Sequence, residues 1–405
     1  MLGLNQDKNV KLCLTKQKKH HNMFKKIILL VAIFTLLLSS SCAINKSTNT
    51  ELILIPYRNG NKYGFCYSNK RVIIPVAYDE VGFFSEGLAP VRLNGKWGYI
   101  DSKGTLVIPT IYREVFPFTN GLALVCDTNG NYSFIDKEGN IVIPSKNASY
   151  TLIPGLEGFE FSFSDGLYPV TLKDFRHGYI DNEGNLVISL PESFEYTDFF
   201  KEGFAVVRVN GKWGFLDKTG KLVIPAVYDS EMPFSKGLAA VELNNKWGFI
   251  DKTGQLVIEA KYDDFPKILG GGYYFTEGLC RVLLNGKFGF IDNKGNLVIP
   301  SKYDWVEPFS EGLALVELNG KYGFINTKGD IAIPIVYSNA FSFSEGLAHA
   351  SLGSTWGFID TTGKVVISMI YLGASDFKNG FALVYLSFST PAGYIDEKGT
   401  QYWEN

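Results

Sequence analysis

The feature that most constrains this chain is a short block of sequence that recurs about ten times. In the clearest copies a lysine, an aromatic residue, a glycine, a second aromatic residue, an aliphatic residue and an aspartate follow one another, as in residues 96–101, 212–217 and 246–251. The glycine returns every 34 to 45 residues, at positions 64, 98, 178, 214, 248, 289, 323, 357 and 393, with Ser133 in the remaining place. Such a period indicates a repeat protein whose units are supersecondary elements.

The amino-acid sequence of each unit predicts a three-stranded antiparallel meander. Alternation of apolar residues from Ala314 to Leu318 indicates a strand with one buried face. The Asn-Gly pair at 319–320 is typical of a tight hairpin turn, because both residues tolerate positive φ. A second turn follows at 326–329, with an amide or carboxylate first and glycine last. A third strand then ends at Pro334, which cannot donate to a ladder.

One such meander buries too little to be stable alone, whereas stacked copies share a continuous core. We therefore predict an all-β fold in which three-stranded meanders stack as an open or superhelical β-solenoid. The alternative is a closed, propeller-like ring. Propellers typically have four to eight blades of four strands, but here we count three strands and about ten units. Pro117 and Pro233 also lie where a fourth strand would run.

The aromatic–glycine pair is expected to serve the stacking of units. The aromatic ring would pack on the neighbouring unit, and the glycine would leave room for that approach. We assign this structural role to Trp97 and Gly98, Trp213 and Gly214, Trp247 and Gly248, Phe288 and Gly289, Tyr322 and Gly323, and Trp356 and Gly357.

These linked motifs resemble the bacterial WG β-repeat family, named for its Trp-Gly pair and once called the KWG repeat. The resemblance covers residues 52–405, nearly all of the chain after the N-terminal segments. It implies an all-β array that is often exported and often of unassigned function. It supplies no catalytic residues.

The first 41 residues have a different character. Residues 1–22 are lysine-rich without an apolar pattern, so we interpret them as an upstream extension ahead of a true start at Met23. Residues 23–41 begin with Met-Phe and two lysines and continue with an apolar run over 27–38, the layout of a signal peptide. The run is shorter than the roughly 20 residues that span a bilayer.

Three serines precede Cys42, which predicts a lipoprotein signal in which Cys42 is acylated and becomes the first mature residue. Several acyl chains would make a stable anchor in a lipid bilayer. Residues 42–51 then form a short linker. Because Ala43, and no aspartate, follows the cysteine, we favour the outer membrane or cell surface over the inner membrane.

The charge of the chain argues against one class of partner, and its cysteine content argues against disulfide bonds. Residues 1–41 hold seven lysines and one acidic residue, so the remainder of the chain is acidic. This argues against nucleic acid as a partner, since phosphates need a basic face. Cys66, Cys126 and Cys280 remain in the exported part, and an odd number predicts no disulfide framework.

No residue set predicts catalysis. His177 and His349 stand near no recognisable nucleophile or zinc motif in the sequence. Aspartates recur in the turns of most units, so the fold explains them, and the glutamates of the Ser-Glu-Gly segments, such as Glu311, are interpreted in the same way. We therefore predict no enzyme, no metal and no cofactor.

Two insertions interrupt the period, and insertions in repeat proteins often form binding loops. They fall at 146–163 and 265–275 and are rich in aromatic residues. The candidate binding residues are Tyr150, Phe159, Phe161, Phe265, Tyr273 and Tyr274. A second candidate is the variable face of the first predicted strand, which includes Arg281 and His349 and would face either solvent or a partner.

Together these observations predict a membrane-anchored bacterial lipoprotein. Its repeat array would be a non-catalytic binding or scaffolding platform for a protein or polysaccharide of the cell envelope. One alternative is an envelope hydrolase acting on glycan or peptide, with its site in the two inserted loops. Another is a structural spacer without a specific ligand.

Overall fold

The computed structural model describes residues 53–145, 150–152, 163–263, 275–386 and 391–404. The chain divides into two compact units, Met1–Asn45 and Lys46–Asn405, and every described residue belongs to the second. The described part of that unit consists of 39 β-strands and their turns, arranged in ten small sheets. The prediction of an all-β fold is confirmed.

Eight of the sheets contain the same four-strand unit, and the first and last sheets contain three of its strands. The bounds below follow the position of each strand in that unit. The first strands are β4 (Glu80–Val81), β8 (Glu114–Val115), β12 (Tyr150–Leu152), β16 (Phe194–Lys201), β20 (Ser230–Glu231), β24 (Phe275–Thr276), β28 (Trp305–Val306), β32 (Asn339–Ala340) and β36 (Gly373–Ala374). The second strands are β1 (Ile55–Asn59), β5 (Leu88–Leu93), β9 (Ala123–Cys126), β13 (Tyr168–Leu172), β17 (Phe204–Val209), β21 (Leu238–Leu243), β25 (Leu279–Leu284), β29 (Leu313–Leu318), β33 (Leu347–Ser351) and β37 (Phe381–Tyr385).

The remaining strands complete each unit. The third strands are β2 (Lys62–Cys66), β6 (Lys96–Asp101), β10 (Tyr132–Ile135), β14 (His177–Ile180), β18 (Lys212–Asp217), β22 (Lys246–Asp251), β26 (Lys287–Asp292), β30 (Lys321–Asn326), β34 (Trp356–Asp360) and β38 (Pro391–Asp396). The fourth strands are β3 (Val72–Tyr78), β7 (Leu106–Tyr112), β11 (Ile141–Ile143), β15 (Leu186–Ser189), β19 (Leu222–Tyr228), β23 (Leu256–Tyr262), β27 (Leu297–Tyr303), β31 (Ile331–Tyr337) and β35 (Val365–Tyr371), and the chain ends with β39 (Trp403–Glu404).

The strands of each unit form an antiparallel meander in chain order, as in β4-β5-β6-β7. We number the sheets 1 to 10 from β1 onward, so that sheet 2 is β4–β7 and sheet 10 is β36–β38. A fourth strand leads almost directly into the next first strand: β7 ends at Tyr112 and β8 begins at Glu114. Consecutive sheets are therefore neighbours by connectivity alone.

The array is closed by its last strand. Among the described residues sheet 1 has no first strand from its own unit, and β39 pairs in parallel with β1 there, placing Trp403 opposite Arg58. Nearby, the rings of Phe83 in sheet 2 and Tyr394 in sheet 10 lie 5.3 Å apart. The end of sheet 10 thus meets sheets 1 and 2, and the ten sheets form a ring, a β-propeller. The prediction of an open or superhelical solenoid is wrong.

The sequence misled because the additional strand is very short. In sheet 2 it pairs over Glu80 and Val81, opposite Arg92 and Val91, and the chain then leaves the ladder before the turn at Ser85. The prolines taken to exclude a fourth strand, such as Pro117, come just after the paired dipeptide, where no ladder donor is required.

The core of the ring lies between sheets. We call the contact between two consecutive sheets a seam, named by its two numbers. At seam 2/3 one cluster contains Tyr99 and Ile108 from sheet 2 and Val115, Phe118 and Ile135 from sheet 3, all nearly inaccessible to solvent. Equivalent two-sheet clusters occupy the following seams. Successive units therefore share buried side chains, which a lone meander could not supply.

The aromatic–glycine pair serves this packing in two ways. Trp97 packs against the cluster at seam 2/3, as expected for a ring facing the next unit. Glycine is needed at position 98 for a different reason than the one expected. A Cβ atom there would lie about 2.7 Å from the carbonyl of Pro109, so the close neighbour is the fourth strand of its own sheet and not the neighbouring unit. The expectation that glycine makes room for the adjacent unit is corrected accordingly.

Candidate binding surface

Both predicted binding loops join the fourth strand of one sheet to the first or second strand of the next. The first insertion lies between β11 and β13, interrupted by β12, and the second lies between β23 and β24. Tyr150 lies in β12, paired with Leu172. Phe159, Phe161, Phe265, Tyr273 and Tyr274 fall outside the described residues, so their role as candidate binding residues stays a prediction. Cys42 also falls outside them.

The recurring turn aspartates are engaged in local hydrogen bonds. Asp101 accepts hydrogen bonds through Oδ1 from the backbone N–H groups of Lys103 (2.9 Å) and Thr105 (2.8 Å). The same pattern holds Asp136 and Asp292. The Asp–turn pattern therefore builds hairpins, in line with its interpretation as structural.

The Ser-Glu-Gly segments link neighbouring sheets. The hydroxyl of Ser310 donates to the carbonyl of Phe343 in the next sheet at 2.8 Å, and the carboxylate of Glu311 accepts from Gly346 N–H at 2.8 Å. Six seams are each crossed by one such carboxylate link. The links run from Glu86 to Gly121, Asp165 to Gly203, Glu202 to Gly237, Glu277 to Gly312, Glu311 to Gly346 and Glu345 to Gly380.

Substitution of Glu311 by glutamine should weaken seam 8/9. The charge-assisted bond to Gly346 is replaced by a neutral one, so we expect the free energy of unfolding to fall by about 0.5–1.5 kcal/mol. Urea unfolding followed by tryptophan fluorescence measures this loss. The control is Glu242→Gln, a half-buried glutamate on β21 that takes no part in a carboxylate link across a seam; equal losses in both variants would contradict the prediction.

The carboxylate links make stability depend on pH. Partial burial acts to raise the pKa of Glu202, but the N–H groups of Gly237 and Lys236 and the ammonium of Lys252 outweigh it and lower the pKa overall. The pKa of Asp251 is lowered by hydrogen bonds from Thr253. A depressed folded-state pKa gives stability that is complete above the unfolded value and is lost as pH falls through the folded value.

We therefore expect the free energy of unfolding to be nearly constant above about pH 5 and to decline steadily below about pH 4.5, where unfolded carboxyls begin to bind protons. Urea titrations between pH 3 and pH 8 test this. Glu202→Gln should show a shallower acid slope than the unsubstituted chain. A free energy of unfolding that increases toward acid pH would contradict the stabilising role assigned to these carboxylates.

At three described turns the acid is replaced by another residue. Asn120 stands at the glutamate position before seam 3/4, Lys236 stands there before seam 6/7, and Asn379 stands there before the junction of sheets 10 and 1. Among the described residues, no acceptor is found for the N–H of Gly166 or Gly278 on the facing turns. Seams 3/4 and 6/7 are also the two that receive the insertions, whereas the turn with Asn379 is followed by none. The missing acids were readable in the sequence, but their meaning depended on knowing what the glutamate binds.

In sheets 7 and 9 polar residues on the variable face of the second strand are buried between sheets, whereas Arg208 on the same face of sheet 5 is exposed. Arg281, on β25, is 5% exposed at seam 7/8. Its Nη1 donates to the carbonyl of Val306 (2.7 Å) and to Glu307 (3.1 Å), and its guanidinium lies 5.1 Å from the ring centroid of Trp305. Burial lowers the pKa of this guanidinium, and Glu307 opposes that shift. The interpretation of this face as a solvent or partner surface is wrong for these residues.

His349 occupies the same position on β33 and is also buried, at 4% exposed. Its ring stacks on Phe341 at 4.2 Å, and its Nδ1 lies 3.2 Å from a carboxylate oxygen of Asp376. His177 is half-buried, with Nε2 3.2 Å from the carbonyl of Glu195. In the described part of the chain neither histidine is hydrogen-bonded to a serine or cysteine side chain.

The three cysteines in the described part of the chain are buried thiols. Cys66, Cys126 and Cys280 are buried and free, and burial raises the pKa of Cys66 to about 11. Within the described ranges, no three His, Cys, Asp or Glu side chains are placed to hold a metal ion. The same ranges contain no helix with the length and apolarity to cross a bilayer.

Comparison with known proteins finds one family and a set of similar folds. The profile of a family described as "WG containing repeat" matches more than half of the chain, over residues 63–97, 97–132, 178–213, 213–247, 247–288, 288–322, 322–354 and 356–386. The stretch that contains Ser133 and the first insertion is not among them. No curated protein matches the chain.

Solved structures resemble the fold at low identity. The crystal structure of a eukaryotic initiation factor is 11% identical, with 85% of this chain and 98% of that chain covered and a TM-score of 0.53. The computationally designed protein Ika8 is 13% identical over 85% and 99% of the two chains, with a TM-score of 0.39. BamB from Moraxella catarrhalis is 9% identical over 71% and 94%, with a TM-score of 0.38. At these identities the first likeness bears on the fold alone.

Proposed function

The chain belongs to the family of WG-containing repeats, and from its closed ring of such units we propose that it is a non-catalytic binding platform, held at the bacterial envelope through an acylated Cys42. The observation that carries the proposal is the use of the recurring polar side chains. The turn aspartates and the seam glutamates that would otherwise suggest a catalytic carboxylate pair are engaged in backbone hydrogen bonds. The two insertions, in which the units differ most, lie in the segments that join one sheet to the next.

The position of the insertions supports binding over a purely structural role. Both lie between the fourth strand of one sheet and the second strand of the next, and both coincide with seams that lack the carboxylate link. A spacer would gain from identical seams, because each link adds stability. Two weaker seams, each carrying an aromatic insertion, are better explained by contacts to another molecule, which we propose is an envelope protein or polysaccharide.

Affinity capture from envelope extracts tests binding. The bait is the compact unit Lys46–Asn405, compared with a variant in which residues 146–163 and 264–274 are replaced by the connector 113–118 from seam 2/3. We expect a partner that the first bait retains and the second loses. Phe175→Ser, which removes an 86% exposed aromatic outside both insertions, is the matched control and should retain the partner. Turnover of glycan, peptide or ester substrates by the purified unit would contradict the non-catalytic reading.

Anchoring is tested separately. Cys42→Ser should move the protein from the membrane fraction to the soluble exported fraction and abolish incorporation of labelled palmitate, because a single thioether-linked lipid site would be lost. A protein that stays in the membrane fraction after this substitution, or that takes up no label before it, would refute the anchor while leaving the capture experiment unaffected.

A further inference from the structure

The repeated turns across the ring show what seam 6/7 lacks. At seam 9/10 the carboxylate of Glu345 accepts from two consecutive backbone N–H groups, those of Asn379 and Gly380, at 2.7 Å each. At seam 5/6 Glu202 does the same with Lys236 and Gly237. A turn of this shape is therefore a carboxylate cradle, in which two N–H groups point at one anionic group.

At seam 6/7 this cradle is present and its carboxylate is not. The turn Glu277–Gly278 has the same positive φ angles as its equivalents, and both residues are exposed. Its own glutamate is directed forward to Gly312 and so does not compete for the cradle. The preceding turn carries Lys236 where the other units carry an acid.

A second departure occurs at the same seam. Ser235 precedes Lys236, is 7% exposed, and its hydroxyl has no hydrogen-bond partner. The equivalent hydroxyls of Ser85, Ser310 and Ser344 each donate to a carbonyl of the next sheet, whereas that of Thr276, at seam 7/8, also lacks a partner. A buried hydroxyl without a partner is uncommon and costs stability. Seam 6/7 thus forms neither the carboxylate link nor the hydroxyl link, whereas seam 7/8 lacks only the hydroxyl link.

A cation completes the cradle at some of the occupied seams. Lys137 lies 3.0 Å from the carboxylate of Glu86, and Lys252 lies 3.1 Å from that of Glu202. At the corresponding place in sheet 7 the residue is Asn293, so the facing side of seam 6/7 contributes no ammonium. On the other side of the junction, the preceding turn carries the exposed Lys236.

We infer that the Glu277–Gly278 turn is a binding site for the carboxylate of a glutamate side chain presented by a partner polypeptide. The inference rests on the proposed binding function and names the chemistry of its ligand. A polypeptide is favoured because the cradle is occupied elsewhere in this molecule by glutamates carried on a Ser-Glu-Gly turn. The vacant turn at Gly166 faces Asn120 and lacks a cation on the preceding turn, so its affinity should be lower.

The test follows the amide resonance of Gly278 in the ¹⁵N-glycine-labelled unit Lys46–Asn405. The probe is the peptide Pro-Phe-Ser-Glu-Gly-Leu, the sequence of residues 308–313, and the matched control peptide has glutamine in place of glutamate. We expect a saturable shift of Gly278 with the first peptide and at least about tenfold weaker binding of the second, because a charge-assisted bond is lost. An unmoved Gly278 resonance overturns the inference.

Two isosteric variants sharpen the result. Lys236→Glu supplies the missing carboxylate from within the chain, and the consecutive glutamates at seams 7/8, 8/9 and 9/10 show that the ring tolerates such a series. It should abolish the Gly278 shift and raise the urea midpoint relative to Lys236→Gln. The glutamine variant should bind more weakly than the unsubstituted unit but still bind. Equal peptide binding by the two variants refutes the site.

Two further outcomes separate this site from the proposed function. A Gly278 shift caused by polygalacturonate and not by the peptide would show that the partner class is wrong. Capture of the envelope partner by Lys236→Glu at full yield would leave the binding platform intact while excluding this cradle as its contact.

Discussion

Truncation after Gly399 should open the ring and cause the largest loss of stability of any change considered. The removed segment contains Tyr402 (1% exposed) and Trp403 (8% exposed), together with strand β39, which pairs with β1. Loss of each buried aromatic side chain costs about 3–5 kcal/mol. Such a loss approaches the whole stability of a typical domain. Urea unfolding should show a shifted or vanishing transition, and small-angle scattering an increased radius of gyration.

We call the segment after Gly399, which closes the ring, the clasp. Its contacts suggest control variants. Tyr402 packs edge-on against Phe381 at 5.5 Å, and its hydroxyl donates to Asp396 at 3.1 Å. Tyr402→Phe keeps the ring and removes only the hydroxyl, so it should cost about 0.5–1.5 kcal/mol. Removal of Asn405 alone should be silent. If the truncated chain kept the midpoint and radius of the intact one, β39 would not be what closes the ring.

Gly357→Ala is expected to lower the free energy of unfolding by about 2–4 kcal/mol, more than most single substitutions do. A Cβ atom at this position would lie 2.7 Å from the backbone N of Met369 and still closer to the carbonyl oxygen of Ile367. Both atoms belong to the backbone of β35, so relief requires the strand to move and would disturb the buried cluster at seam 9/10. Thermal and urea unfolding measure the loss.

Gly353 provides the matched comparison in the same sheet. A Cβ atom there meets nothing within 4 Å, and its φ lies outside the left-handed region. Gly353→Ala should therefore be neutral or slightly stabilising, since alanine restricts the unfolded chain. Similar effects of the two substitutions would show that the glycine of the Trp-Gly pair is not retained for close backbone approach.

The strands and turns were predictable because their signals are local. The Asn-Gly pair at 319–320 and the aspartate turn at 292–295 fix the hairpins within a few residues, and the alternation in β29 fixes its register. The stacking of units also followed from sequence, since a meander of this size needs partners. What remained open was the angle between successive units, which decides between a solenoid and a ring.

That angle is set by contacts about one repeat apart that leave no pattern a sequence scan detects. The bond from Ser310 to the carbonyl of Phe343 involves a backbone atom, and the pairing of Trp403 with Arg58 spans the whole ring. The two-residue strands such as β28 are too short to give alternation. The same limitation hid the cradle. Lys236 looks like an ordinary exposed lysine in the sequence, and only the bonds of Glu311 and Glu345 show that its position normally supplies a carboxylate to the next turn.

Every seam is made by unlike surfaces: the rear of one unit meets the front of the next, and the hydroxyl and carboxylate links all point forward along the chain. Interfaces of this head-to-tail kind end only when the turn per unit brings the last surface back to the first. A molecule parted at one seam would therefore expose two matching faces. Such faces can join neighbouring molecules into exchanged dimers or growing fibres, and the clasp at sheet 1 guards against polymerisation as much as against unfolding.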